Sequence, residues 1–149
     1  SARVRVDGLS MNPTLQHGEY VLVSRLAYKT GAPERGDIIV FSFPMDQKQD
    51  LIKRVIGLPG ETIEIRSGEV LVNGAKLDEP YIAQSPVYNG TWTVGAGELF
   101  VLGDNRNDSK DSHQWGLLPI ENIIGKALLI YWPPPEWKLI NHTEEVFVP

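Results

Sequence analysis

The chain has 149 residues, 42% of them hydrophobic and 22% charged, which suits one folded domain and excludes a disordered chain. A net charge of -5, without a cluster of lysine and arginine, argues against nucleic acid as the main partner, because no stretch supplies a phosphate footprint. The absence of cysteine excludes disulfides, thiol catalysis and cysteine-based zinc sites.

In chain order the sequence reads as short strands and turns. Val4-Arg5-Val6 alternates, and Glu19 to Val23 follows the His17-Gly18 turn. Asp37 to Phe41 follows Arg35-Gly36, and Leu51 to Ile56 is the next apolar run, closed by Gly57-Leu58-Pro59-Gly60. Glu61 to Ile65, Ser67-Gly68, Glu69 to Val72 and Asn73-Gly74 predict strand, hairpin turn, strand, turn. Leu99 to Leu102 and Ala127 to Trp132 are further apolar strands. A short helical segment is predicted from Pro119 to Ile124, with proline at its start and Gly125 at its stop. The tail from Pro133-Pro134-Pro135 onward is expected to leave the sheet, since prolines supply no ladder donors.

These runs predict an all-β chain, mainly antiparallel, folded as a β-sandwich or partly closed barrel. Residues 1–149 read as one catalytic domain. The turn-rich interval 66–97 reads as a hairpin insertion within it. No apolar run approaches the ~20 residues needed to cross a bilayer, and the N-terminus does not have the form of a signal peptide.

Three segments carry chemistry. Ser10 precedes Met11-Asn12-Pro13-Thr14-Leu15, Lys53 lies in Asp50 to Gly57, and Gly103 to Ser112 is a polar loop. A serine nucleophile usually draws on a histidine base, but none of His17, His113 and His142 stands in a recognisable triad context. A lysine can serve if burial keeps it neutral. Alternation places Lys53 on one strand face with Leu51 and Val55, and Arg54 on the other with Ile52 and Ile56. Desolvation between aliphatic neighbours lowers a lysine pKa. At about 10.4 fewer than ~0.1% of lysines are neutral at pH 7, whereas a value near 8 raises that to ~10%. Each segment also has a plainer reading. Ser10 can initiate a turn, Lys53 can sit at a strand edge in water, and the loop can be a solvated Asx turn. The loop does not match a calcium-binding EF-hand, lacking its glycine and placing Trp115 at the twelfth position from Asp104.

Together with Arg35-Gly36-Asp37-Ile38-Ile39-Val40-Phe41, these blocks in this order resemble type I signal peptidases, membrane-anchored Ser/Lys proteases that cut signal peptides from exported preproteins. The resemblance covers about Val4 to Trp132. It implies Ser10 as nucleophile, its backbone N–H as oxyanion donor, and neutral Lys53 as general base. It further implies that Ser109 orients the lysine amine, that Asp111 holds the active-site wall, and that Asp104 pairs with Arg54. Gly8 stands where some members carry a serine that donates to the oxyanion. His113 stands where an arginine is usual. Substrates with small residues, typically Ala, one and three positions before the cut would meet Val4, Val6, Met11, Leu15, Leu51 and Ile52, whose ordinary reading is sheet core. No cofactor or metal is implied. The expected partners are signal peptides of exported preproteins and the membrane lipid surface, which Trp132 and Trp137 could touch. The expected location is the extracytoplasmic face of the plasma membrane, with an N-terminal transmembrane anchor absent from this chain. Two other readings stay open: a self-cleaving repressor-type Ser/Lys protease, though this chain has no helix-turn-helix, and a catalytically silent β-domain that binds peptides.

Overall fold

Runs of valine, isoleucine and leucine between glycine turns become strands because branched side chains pack well on a pleated surface. The computed structural model describes residues 2–133 and 138–140. In chain order the strands are β1 (Ala2–Arg5), β2 (Tyr20–Ser24), β3 (Ile38–Phe43), β4 (Asp46–Gly57), β5 (Thr62–Arg66) and β6 (Glu69–Val72). They continue with β7 (Ala75–Lys76), β8 (Gly90–Thr93), β9 (Glu98–Leu102), β10 (Leu118–Pro119), β11 (Ile123–Trp132) and β12 (Lys138–Leu139). One α-helical turn, α1 (Ser112–Trp115), and one 3-10 turn, Ile120–Asn122, lie between β9 and β11.

The larger sheet runs β1-β2-β11-β3-β4-β9-β10, with β12 also on β11, and the smaller runs β7-β6-β5-β8. Among the described residues every pairing is antiparallel, and neither path closes into a barrel. Ile56, Phe100 and Leu102 of the larger sheet pack with Ile63, Ile65 and Val72 of the smaller. A second cluster, with Val6, Met11, Leu15, Val21, Val23 and Val40, lies beneath the Ser10 turn. A third joins Ile39, Phe41, Val55, Leu99, Val101 and Leu118.

Strand β4 organises the site. Its first half pairs with β3, and its second half is also paired on the other edge by β9 from Arg54 onward. Its solvent-exposed start gives way to continuous burial from Lys53 to Gly57. Alternation predicted one covered face, but both are covered here, so Lys53 and Arg54 are each nearly inaccessible (4% and 2% exposed).

Three local expectations need correction. The segment predicted as a helix over Pro119 to Ile124 is a strand end, a single 3-10 turn and the start of β11. Gly125 does not stop a helix; it lies within β11, where a Cβ would come 2.4 Å from the Ser24 carbonyl oxygen. The α-helical turn falls instead at Ser112–Trp115, where the Asp111 side chain caps it. The tail does not simply leave the sheet after Pro133, because Lys138 and Leu139 pair with Ile130 and Leu129. The proline run lacks ladder donors, but these two residues have theirs. Trp132 is half exposed, and Trp137 lies outside the described residues.

Candidate active site

The chain leaves β1, passes Gly8 and enters a tight turn that presents Ser10. Gly8 has φ +91°, a left-handed conformation that costs other residues steric strain. The turn closes through Asn12 N to the Leu9 carbonyl (3.1 Å) and Leu15 N to the Met11 carbonyl (2.9 Å). Met11 and Leu15 anchor it in the core. The polar loop grips it from outside: Asn105 N donates to the Ser10 carbonyl at 2.9 Å, and the Asn105 amide donates to the Leu9 carbonyl at 3.1 Å.

Lys53 reaches this turn from β4. Its Nζ lies 2.9 Å from Ser10 Oγ, in hydrogen-bond contact. Burial lowers the Lys53 pKa from 10.5 to about 8, and the nearby Asp111 carboxylate opposes the shift without cancelling it. At pH 7 the neutral fraction is thus ~10% instead of ~0.03%. Neither His17 nor His113 takes part in the contact. A serine hydroxyl beside a partly neutral buried amine can lose its proton as it attacks a carbonyl carbon.

Asp104 and Asp111 hold the surrounding wall. Asp104 is fully buried and accepts from Arg54 Nε (2.9 Å) and Nη2 (2.7 Å), and also from the Thr14 hydroxyl. One carboxylate therefore ties the serine turn to the strand that carries Lys53. Asp111 accepts from Gly103 N at 2.9 Å and from His113 N at 3.2 Å, and its carboxylate also meets His113 Nδ1. Tyr88 stacks flat on the His113 ring, with centroids 3.7 Å apart. Ser109 shares a cavity with Ser10 and Lys53, but its buried hydroxyl has no hydrogen-bond partner among the described residues. Gly103 explains how closely the loop and turn approach. A Cβ there would fall 2.2 Å from Ser109 Oγ and 2.6 Å from the Ser10 carbonyl oxygen.

Sequence reasoning missed a second buried ion pair behind this wall. Arg106 is fully buried and donates to Glu79 through both terminal nitrogens, at 2.6 and 2.5 Å, and to the Gly103 carbonyl through Nε at 3.0 Å. Tyr81 donates to Glu79 at 2.6 Å, and its ring lies 3.8 Å under the Arg54 guanidinium. Arg106 sits in the quoted polar loop, so its charge was a usable signal. Glu79 and Tyr81 lie in a turn-rich stretch whose composition reveals nothing of them.

Two cavities meet at Ser10. One, of about 390 Å³, is lined by Ser10, Lys53, Gly8, Leu9, Phe43, Leu51 and Ser109, among others. The other, of about 80 Å³, is lined by Val4, Asp7, Ser10, Val40, Asp50, Leu51, Ile52 and Lys53, among others. Of the apolar candidates for substrate contact, Val4, Leu51 and Ile52 line these cavities, whereas Val6, Met11 and Leu15 are buried in the core cluster below.

Comparison with known proteins bears on the same region. Residues 1–132 match the family described as Signal peptidase, peptidase S26. The chain is 48% identical over 132 residues to a signal peptidase I of Leptolyngbya laminosa, an alignment covering 83% of this chain and 65% of the relative. It is 43% identical over 143 residues to a probable signal peptidase I-2 of a Synechocystis strain, covering 91% and 65%. The chain thus spans just under two thirds of the length of these relatives. A crystal structure of a signal peptidase I from Enterococcus faecalis superposes with a TM-score of 0.60 at 36% identity, covering 64% of this chain and 96% of that one. The stretch matched by the family contains every residue of the site, and the chain belongs to the signal peptidase family, peptidase S26.

Proposed function

We propose that this chain is the catalytic region of a serine endopeptidase that removes signal peptides from exported preproteins after Ala-x-Ala-type sites. Ser10 is the nucleophile and Lys53 the general base. The observation that carries the reading is the 2.9 Å contact between Ser10 Oγ and a buried Lys53 whose pKa is lowered to about 8. Neutral Lys53 takes the hydroxyl proton as Oγ attacks the carbonyl carbon, and the Ser10 backbone N–H donates to the developing oxyanion. Lys53 returns the proton to the leaving amine. Water, deprotonated by the now neutral Lys53 amine, then attacks the acyl carbon, and Ser10 leaves with the proton that Lys53 gives back. Asp104, bonded to Arg54 and Thr14, and Asp111, bonded to Gly103 N, keep the two reacting groups in register.

The substrate lies extended beside β4. Among the described residues, β9 joins β4 only from Arg54 onward, which leaves one edge of Asp50 to Lys53 for an added peptide strand. Val4, Leu51 and Ile52 offer shallow apolar walls that suit small side chains. By family analogy the enzyme works at the extracytoplasmic face of the plasma membrane, at the lipid surface. No helix among the described residues is long and apolar enough to cross a membrane.

The test is cleavage of a peptide carrying an Ala-x-Ala site, in detergent, by the parent, Ser10→Ala and Lys53→Arg. Both substitutions are expected to abolish cleavage with the fold retained, because arginine is effectively always protonated. In the parent, kcat/KM is expected to rise with pH around 8. Substantial activity in folded Lys53→Arg, or a rising limb that vanishes when one histidine is replaced, would overturn the assignment.

A further inference from the structure

The residues just before Ser10 are tethered to the segment that precedes β2. Val6 N donates to the Glu19 carbonyl at 2.7 Å, and Gly18 N donates to the Val6 carbonyl at 2.9 Å. These bonds extend the β1–β2 ladder to Val6. At Gly8 the φ of +91° turns the chain out of the sheet, and its N–H donates to His17 Nδ1 at 2.8 Å. An imidazole nitrogen there takes the place of a backbone acceptor. Gly8 lies two residues upstream of Ser10 and lines the same cavity.

We infer that His17 is a positioning residue for the nucleophile, holding the Gly8 peptide through Nδ1 and so setting the angle at which Ser10 meets its substrate. The inference rests on the Ser10–Lys53 reading and adds to it a side chain that touches neither reacting group. The tether has a stated protonation state. Nδ1 accepts from Gly8 only when it carries no proton, so the ring is neutral with its proton on Nε2. Asp7 Oδ1 lies 3.7 Å from the same Nδ1. A proton on Nδ1 removes the acceptor, frees the Gly8 N–H and gives the ring to Asp7 instead. The other charged groups nearby are the Arg5 guanidinium beside Gly18 and the Glu19 carboxylate, which accepts from Gln16 N. The Asp7–Gly8 peptide is trans, so its carbonyl points away from His17, and both residues line the main cavity. Fixing one side of that peptide fixes the other.

The experiment compares the parent with His17→Ala and His17→Asn. Asparagine places an acceptor oxygen close to the Nδ1 position and does not titrate. Peptide cleavage is expected to fall about fivefold to tenfold in kcat/KM for His17→Ala, mostly in kcat, as fits the loss of one partly solvated positioning bond. His17→Asn recovers most of that loss. The Gly8 amide resonance in 1H–15N spectra reads the tether without turnover. It is expected to keep its parent position in His17→Asn and to be displaced in His17→Ala. A Gly8 amide unchanged in His17→Ala would overturn the inference. So would His17→Asn as slow as His17→Ala. Ser10→Ala tests the nucleophile separately, so failure of the dyad reading and failure of the tether are distinguishable.

Discussion

Replacing Lys53 with methionine is expected to destroy activity and stabilise the fold. Lys53 is 4% exposed, and burial lowers its pKa from 10.5 to about 8. That difference corresponds to roughly 3 kcal/mol by which folding disfavours the charged amine. Methionine fills similar space with no charge and adapts to irregular walls. It loses the 2.9 Å contact with Ser10 Oγ, an interaction of about 1 kcal/mol. A net gain of roughly 2 kcal/mol remains near pH 6.5, equivalent to about 4–8 °C in Tm for a domain of this size. The gain has a defined pH window. Below about pH 8 both folded and unfolded chains carry the proton, and the parent bears the full penalty. Between about 8 and 10.5 the folded chain sheds it first, so the parent becomes more stable as pH rises. The advantage of methionine should therefore shrink across that interval. Urea unfolding of both proteins at pH 6.5 and pH 10 measures it. A Lys53→Met variant no more stable than the parent at pH 6.5, or one with the same advantage at both pH values, would refute the claim that buried charge here is tolerated for chemistry.

Gly103→Ala places a methyl 2.2 Å from Ser109 Oγ and 2.6 Å from the Ser10 carbonyl oxygen, so the loop or the serine turn must shift. It is expected to cost about 1–3 kcal/mol in urea and roughly 100-fold in kcat. Asp104→Asn leaves the buried Arg54 guanidinium without its counter-charge and should cost about 3–5 kcal/mol, read by urea unfolding. Combining it with Arg54→Met should recover part of that loss. Glu79→Gln strands Arg106 in the same way, and a destabilisation under about 1 kcal/mol would mean the pair is solvated in solution.

Much of the site could be read before any fold was known, because its signals are local. The Ser10 turn, the apolar run around Lys53 and the polar loop from Gly103 each combine unusual residue types within a few positions. Alternation along Leu51 to Val55 correctly put Lys53 toward the interior. It could not show that Arg54 is equally buried, since Asp104, the Gly36 carbonyl and the Tyr81 ring reach it from distant parts of the chain. The strands with dense β-branched residues were legible for the same local reason. The errors fall where neighbours decide. Pro119 and Gly125 look like helix punctuation, but pairing with β9 and close packing against Ser24 hold them in strands. The proline run looks like an exit, yet residues 138–139 return to pair with β11. The Arg106–Glu79 pair, the Tyr81 ring under Arg54 and the stacking of Tyr88 on His113 join segments far apart in sequence. Composition and periodicity describe what a residue favours within its own segment. Which charge meets which partner after burial is set by chain crossings, and those exist only once both sheets have packed.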